Sequence, residues 1–283
     1  MLHKECLYDM FNLQGRVAIV TGGNGRLGAQ YVETLLRANA KVIVADIAKE
    51  PSEKISMLLD TYNGNIYFRT VDITNKEEVY SLMELLSLYD ENVPSILVNN
   101  AGIDAPPNAS EKDFGRFEHT DEEAWEKVLM SHLKSARVMS RSFIRALSRK
   151  IPAQKSSIIN VSSLYGIVSP DQSLYDFRRN DGAEFFKPDS YTTAKAGMIG
   201  FTRWLAGYCA EQSLPIRVNC VVLGGVYAKQ DDSFVRAYSK KTMLGRMANE
   251  DEYNGLMLFL ASEKASSYIT GAVFIADGGF SAY

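Results

Sequence analysis

Thr21-Gly22-Gly23-Asn24-Gly25-Arg26-Leu27-Gly28 lies between Arg16-Val17-Ala18-Ile19-Val20, a short apolar run bounded by turn residues, and a stretch where Tyr31, Leu35, Leu36 and Ala38 recur at roughly helical spacing. The run reads as a strand buried in a parallel sheet and the stretch as a helix. Strand, glycine turn and helix in that order make a phosphate site. Glycines let the backbone take positive φ and let a pyrophosphate come close, while the free N–H groups and dipole of the new helix meet its charge. Gly22, Asn24, Gly25, Arg26, Leu27 and Gly28 are therefore the candidate pyrophosphate-binding residues. A second strand, Lys41 to Ala45, ends in Asp46, 24 residues after Gly22. A carboxylate there accepts hydrogen bonds from both ribose hydroxyls of an adenine dinucleotide and repels a 2′-phosphate. Ile47 follows it, not the arginine that would neutralise such a phosphate, so the pattern favours NAD. Arg26 works the other way, since a guanidinium near the turn could reach the added phosphate of NADP.

The chain has 283 residues, 46% of them hydrophobic, enough for the core of one large α/β domain spanning 1–283. Lysine and arginine number 31 against 34 aspartate and glutamate, a net charge of −3, so nothing draws the surface as a whole to nucleic acid or anionic lipid. Cys6, Cys209 and Cys220 are scattered as reduced thiols of a cytoplasmic protein would be, and His3, His119 and His132 form no metal motif. No apolar run reaches about 18 residues, and Glu5 and Asp9 stand where a signal peptide would be apolar. The expectation is a chain that neither crosses a membrane nor is exported.

Strands alternate with helices along the rest of the sequence. Ile66 to Val71 runs into Asp72, Ser95 to Val98 into Asn99-Asn100-Ala101-Gly102, Ser157 to Val161 into Ser162-Ser163, and Ile216 to Val222 and Ala272 to Ala276 follow. With helices near 27–38, 52–61, 75–88, 121–143, from 190 and over 250–261, the pattern predicts a doubly wound (Rossmann) seven-stranded parallel sheet with helices on both faces. Residues 1–14 lack clear periodicity and are expected to lie as an arm across the first strand, with Phe11 and Leu13 tucked in. Residues 227–249 read as a polar, mobile segment.

Tyr191 and Lys195 are four apart and share one helix face. A free phenol titrates near pH 10, but an ammonium about 4 Å away at an effective dielectric near 20 contributes roughly 4 kcal/mol and draws it toward neutrality, where general acid-base catalysis is most effective. Ser163, at the carboxyl end of its strand, is placed to donate a hydrogen bond to a substrate oxygen. With these residues in hand, the sequence resembles the short-chain dehydrogenase/reductase family from about Leu13 to Gly279. The matching pieces are Thr21-Gly22 with Gly28, Asp46, Val71-Asp72, Asn99-Asn100-Ala101-Gly102, Ser163, Tyr191-x-x-x-Lys195 and Asp277-Gly278-Gly279. The resemblance implies an NAD(P) fold in which Tyr191 relays a proton, Lys195 tunes it and holds the nicotinamide ribose, and Ser163 orients the substrate. It further implies that Asp72 and Ile73 meet the adenine, that Asn99, Ala101 and Gly102 line the cofactor cleft, and that Gly224 and Val226 touch the cofactor after the sixth strand. Small residues on the Tyr191 helix, Ala194, Gly197 and Gly200, permit close helix packing, and in the family a matching helix joins subunits into homodimers or homotetramers.

Four positions depart from the family pattern. Arg26 replaces a glycine, Leu223-Gly224 replaces Pro-Gly, Ala228 replaces a threonine, and His132 replaces an asparagine that holds a proton-relay water. His132 also lies on the apolar stripe of its helix, so relay and structural roles are both open. Ser163 and Tyr191 are 28 residues apart, longer than the family's usual spacing, because of an insertion at about 170–189. The insertion carries Arg178, Arg179 and Lys187 beside Asp171, Asp176, Asp181, Glu184 and Asp189, plus Tyr175, Phe177, Phe185 and Phe186. With both ends at the active site it is expected to form a packed lid over the substrate cleft. The run Leu164 to Asp171 loosely resembles members associated with bacterial surface-glycan or flagellin-sugar pathways. The leading expectation is an NAD-dependent oxidoreductase acting on a secondary alcohol or ketone of a sugar or polyol derivative. The rivals are a 3-oxoacyl-carrier-protein reductase, which would favour NADP and a basic patch, and a regulatory protein that binds a dinucleotide without turnover.

Overall fold

The computed structural model describes residues 4–89, 93–103, 114–149, 155–180 and 185–282. The chain enters through a short helix, α1 (Lys4–Phe11), in the stretch 1–14 whose lack of clear periodicity predicts only an arm. Its helicity is set by contacts far along the chain: Ser262 Oγ donates to the Met10 carbonyl at 2.6 Å and Lys264 pairs with Asp9 at 2.5 Å. An eight-residue helix is marginal alone, so local periodicity carries little trace of it. Leu13 is buried, as expected, and Phe11 partly so.

The strand, turn and helix of the glycine octet are β1 (Val17–Thr21) and α2 (Arg26–Arg37), with Gly25 at the helix N-cap. β2 (Lys41–Asp46), α3 (Glu53–Thr61), β3 (Ile66–Thr70), α4 (Lys76–Tyr89) and β4 (Ile96–Asn99) continue the alternation. α5 (Glu122–Leu129) is capped by the Asp121 side chain and passes through one π-helical turn, Met130–Lys134, into α6 (Ser135–Arg149). Then come β5 (Ser156–Ser163), the short α7 (Asp176–Asn180), the long α8 (Asp189–Glu211), β6 (Ile216–Leu223), α9 (Asp232–Ser239), α10 (Asn254–Ala261), α11 (Glu263–Ser266) and β7 (Val273–Ala276). All seven strands pair in parallel in the order β3-β2-β1-β4-β5-β6-β7. The order reverses at β1 and β4, so a crevice opens at their carboxyl ends.

Alternation along each strand sends its side chains to two cores. Ala18, Val20, Val42, Val44, Val98 and Ile159 pack with the apolar stripes of α2, α3 and α10. Ile19, Ile43, Leu97, Ile158 and Val218 pack with those of α4, α6 and α8. Both faces of the sheet are thus covered, which is why its strands read as continuous apolar runs. Within α8, Ala194 is buried and a Cβ at Gly197 would lie 2.8 Å from Leu133, so these two serve packing inside the chain, whereas Gly200 faces open space.

The segment 227–249, read from sequence as mobile, holds α9. Asp231 caps it by accepting from the Ser233 N–H, and Phe234 and Tyr238, one turn apart, stack at 5.9 Å. Their third cluster, with Leu164, Tyr165, Leu174 and Tyr175, supplied the order that the polar composition concealed.

Tyr31 on α2 is fully buried with no hydrogen-bond partner for its hydroxyl among the described residues, and burial pushes its phenol well above the ordinary range. Removing a stranded buried hydroxyl while keeping the ring relieves a desolvation cost. Tyr31→Phe should therefore leave stability unchanged or raise it by about 1 kcal/mol in urea unfolding; a loss of that size would show that the hydroxyl is bonded in solution.

Candidate active site

A cavity of about 1010 Å³ follows the carboxyl ends of β1 to β6. At the end of the cavity beside β1 and β2 the backbone comes unusually close to itself. Gly22 has φ +60° and a Cβ there would sit 2.9 Å from Ala101 Cα; one at Gly28 would sit 2.1 Å from the Gly22 carbonyl oxygen. Only glycine fits at either place. Thr21 locks the same junction, its Oγ1 accepting from the N–H groups of Asn100 and Ala101 at 3.0 and 3.1 Å and donating to the Val98 carbonyl at 3.2 Å. The Asp46 carboxylate is set at the end of β2 by the N–H groups of Asn24 and Ala48, each at 3.0 Å.

Gly22, Gly25, Arg26, Leu27, Gly28, Asp46, Ile47, Asp72, Ile73, Ala101, Gly102, Gly224 and Val226 all line this cavity, together with Ser163, Tyr191, Lys195 and His132. Two candidates do not. Asn24 turns its side chain away, its amide donating to the Glu50 carbonyl at 3.1 Å and accepting from the Ser52 N–H at 2.6 Å, so it shapes the turn from behind. Asn99 is buried beneath the cleft, donating to Ser140 Oγ at 3.1 Å and to Asn160 Oδ1 at 2.8 Å, and Asn100 lines the cavity in its place. At Asn99, the last residue of β4, the alternation of the strand explains the outcome, since its side chain and that of Asn100 point to opposite faces, while the Asn24 amide is held by the hydrogen bonds of its turn. Arg26 spans the cleft to donate to the Tyr227 carbonyl at 3.2 Å.

At the other end of the cavity α8 is fastened to β5 in both directions. Ser162 Oγ donates to the Lys195 carbonyl at 2.7 Å, and the ammonium of Lys195, a residue only 5% exposed, donates to the Val161 carbonyl at 3.1 Å. That places the Lys195 Nζ 5.6 Å from the centre of the Tyr191 ring. Ser163 caps the turn after β5, its Oγ accepting from the Tyr165 N–H at 3.3 Å.

His132 sits in the π-helical turn, a distortion that re-aims side chains and recurs at functional sites. It is 3% exposed, its Nε2 is 3.0 Å from the Ile103 carbonyl, and its ring meets Tyr191 edge-on at 5.6 Å. A carbonyl only accepts, so Nε2 carries the proton of a neutral ring. Burial first, and then the Lys195 and Lys187 charges, push its pKa down to about 2. Gly102 makes room for it, since a Cβ there would lie 1.9 Å from His132 Cε1.

The insertion folds back against the cavity. Asp171 caps a short turn at Gln172–Tyr175, and Tyr175, Phe177, Arg178, Phe185 and Lys187 join the lining. Tyr175 packs on Phe185 at 5.0 Å and on Phe234 of α9 at 5.5 Å; Phe185 stacks on Phe114 at 5.4 Å and carries the Arg178 guanidinium at 4.2 Å. Phe186 is tied by its N–H to the Phe114 carbonyl at 2.8 Å. Asp181, Glu184 and the Arg179 side chain lie outside the described residues.

Family models match nearly the whole length: short chain dehydrogenase over residues 16–176 and Enoyl-(Acyl carrier protein) reductase over 181–281. The chain belongs to the short-chain dehydrogenase/reductase family. It is an oxidoreductase of a family that uses nicotinamide dinucleotides. It is 30% identical to the 3-oxoacyl-(acyl-carrier-protein) reductase FabG of Chlamydia trachomatis, covering 94% of this chain and 98% of that one. Identity to the cis-4-hydroxycyclohexanecarboxylate dehydrogenase of Sinomonas cyclohexanicum is 31%, over 94% and 97%. A short chain dehydrogenase from Leptospira borgpetersenii, solved with bound NAD+, superposes with a TM-score of 0.81 at 32% identity, covering 97% of this chain and 95% of that one.

Sequence reasoning missed Phe234 and Tyr238 in the cavity wall. The signal was there, in Asp231 as an N-cap followed by aromatics four apart, but the surrounding charges masked it. A Cβ at Gly225 would lie 2.7 Å from the Tyr238 ring, which fixes the Leu223-Gly224-Gly225 stretch as the place where β6 gives way to α9.

The buried neutral state of His132 has a thermodynamic consequence. Its folded pKa of about 2 is below the ordinary value near 6.5, so between those values the unfolded chain binds more protons. The contribution is full above pH 6.5 and is lost as pH falls. From pH 7 to 5 this group alone should cost about 2 kcal/mol of unfolding free energy. His132→Asn should show a correspondingly shallower fall in denaturant titrations at the two pH values; equal falls would place a protonated imidazole in the folded state.

Proposed function

We propose that this enzyme interconverts a secondary alcohol and a ketone on a compact polar substrate, a sugar or polyol derivative, with NAD as the cofactor. The observation that carries the reading is the convergence of Ser163, Tyr191 and Lys195 on one cavity with the glycine turn and Asp46. Glycine at 22 and 28, where a Cβ would strike Ala101 and the Gly22 carbonyl oxygen, lets the turn before α2 close tightly, and that turn with Asp46 forms one wall of the cavity, a cradle suited to a dinucleotide. In that cradle Gly22, Gly25, Arg26, Leu27 and Gly28 would face the pyrophosphate, Asp46 and Ile47 the adenosine ribose, Asp72 and Ile73 the adenine, and Ala101, Gly102, Gly224 and Val226 the rest of the cofactor.

When bound, the nicotinamide supplies the hydride chemistry. The chain supplies proton handling and alignment. Tyr191 Oη gives a proton to the substrate oxygen in reduction and takes it in oxidation, Ser163 Oγ donates a hydrogen bond to that oxygen, and Lys195 favours the phenolate and would hold the nicotinamide ribose. His132, neutral and held by Ile103, braces the edge of the Tyr191 ring. The aromatic wall of Tyr175, Phe177, Phe185 and Phe234 supports a compact ring-shaped substrate and leaves less room for a carrier-bound acyl chain. Scattered thiols, two of them buried as Cys209 and Cys220, support a cytoplasmic setting, and the exposed stacked pair Trp204 and Tyr208 on α8 supports a homodimer or homotetramer. A role in surface-glycan or flagellin-sugar synthesis accords with a sugar substrate. The similarity to FabG favours a second reading, reduction of a 3-oxoacyl chain on its carrier protein, which an assay with acetoacetyl-carrier protein and NADPH would detect.

Tyr191→Phe removes the ionisable oxygen and should lower turnover about 10²–10⁴-fold with NAD affinity nearly intact by fluorescence titration. Wild-type turnover in that variant would sink the mechanism. For the cofactor, NAD should bind at least about tenfold more tightly than NADP to the unaltered enzyme, because the Asp46 carboxylate repels a 2′-phosphate. Asp46 itself is a poor site for substitution here, since it also holds the Asn24 and Ala48 backbone. Tighter binding of NADP would refute the assignment.

A further inference from the structure

Lys187 closes the insertion, one residue before Pro188 and the start of α8. Its backbone is held from both sides by one side chain: the Lys187 N–H donates to Gln172 Oε1 at 2.8 Å, and Gln172 Nε2 donates to the Lys187 carbonyl at 3.3 Å. Pro188, at φ −67°, then fixes the entry into the helix. The Lys187 residue is 8% exposed, and its ammonium lies 4.3 Å from the centre of the Tyr191 ring, nearer than the 5.6 Å of Lys195. Two ammonium groups from different elements therefore stand against one phenol.

Other charged and titratable groups among the described residues lie close by or line the same cavity. On its own helix Asp189 is engaged in accepting from Trp125 Nε1 at 2.8 Å. From the π-helical turn His132 is neutral. The turn after β5 and the insertion bring Tyr165, Tyr175 and Arg178, and the segment after β6 brings Lys229 and Asp231 to the cavity wall. A cation over the face of an aromatic ring is attracted by its π-electrons, and the attraction grows when the ring oxygen takes on negative charge.

We propose that Lys187 is a positioning residue for proton transfer, a second ammonium that acts with Lys195 to favour the phenolate form of Tyr191. The insertion thus supplies the active site with electrostatics as well as a wall. The inference rests on Tyr191 being the proton-transfer group, and it is tested by a measurement that needs neither substrate nor cofactor. Tyrosinate absorbance is titrated in the full chain and in Tyr191→Phe, and the difference gives the ionisation of this one phenol. The same difference is then taken in the Lys187→Met and Lys187→Arg backgrounds. Lys187→Met should raise the midpoint by about one pH unit or more, a tenfold or greater loss of phenolate at a given pH, and Lys187→Arg should hold it near the wild-type value. The acid-base limb of the kcat profile should move in the same direction. An unchanged Tyr191 midpoint in Lys187→Met overturns the inference, as does a midpoint that rises equally in Lys187→Arg, which would mean that packing and not charge is responsible. Retention of turnover in Tyr191→Phe would defeat the catalytic reading while leaving the midpoint shift intact, so the two failures are distinguishable.

Discussion

The reciprocal clamp between Lys195 and β5 is the constraint on which the site depends. A buried ammonium is costly unless it is bonded, and here the Val161 carbonyl receives it while Ser162 Oγ holds the Lys195 carbonyl. One side chain and one peptide group are thereby tied to adjacent residues of the same strand. Because Ser163 is the next residue of β5 and Tyr191 lies one helical turn before Lys195, the clamp fixes the separation of the two groups proposed to touch the reacting oxygen. The helix cannot slide along the sheet without breaking both bonds at once.

A buried amide chain extends that rigidity into the core. Asn99 of β4 bonds Asn160 of β5, Asn160 bonds Thr202 of α8 at 2.9 Å, and Thr202 closes on the Met198 carbonyl at 2.8 Å. Polar groups in such a place are tolerable only when paired, and once paired they specify one arrangement among the many that an apolar interface would accept. Asn99 thus contributes to the site through the position of α8, although its side chain never reaches the cleft. The glycine junction follows the same logic at the opposite wall. Gly22 packs against Ala101 and Gly28 against the Gly22 carbonyl with no room for a Cβ, which holds the turn tight at the edge of the cavity.

The insertion shows how a lengthened loop becomes part of a site and not an appendage to it. Phe114, Phe185, Tyr175, Phe234 and Tyr238 form a continuous aromatic path from the segment before α5 to α9. Such contacts bury area at low cost in side-chain entropy, so a polar sequence acquires fixed walls. Lys187 and Arg178 gain their positions through that packing. Their proximity to the Tyr191 and Phe185 rings is a property of the assembled cluster.

The sequence alone determined the seven-stranded doubly wound sheet, the glycine turn, the acidic end of β2 and the Ser163, Tyr191 and Lys195 set. Each depends on local spacing: a period of two or 3.6, a glycine where backbone must bend, a phenol and an ammonium four residues apart. Tertiary structure decided the rest. It alone turned Asn24 and Asn99 away from the cleft, because a strand's alternation chooses between Asn99 and Asn100, which look alike in sequence, and a turn's hydrogen bonds hold the Asn24 amide. It made α1 and α9 helical through partners more than one element away, and it put the imidazole of His132 against Gly102 by inserting a π-helical turn that no composition announces. Lys187 came to lie closer to the Tyr191 ring than the lysine of the Tyr-x-x-x-Lys pair for the same reason: long-range packing, which spacing along the chain does not encode.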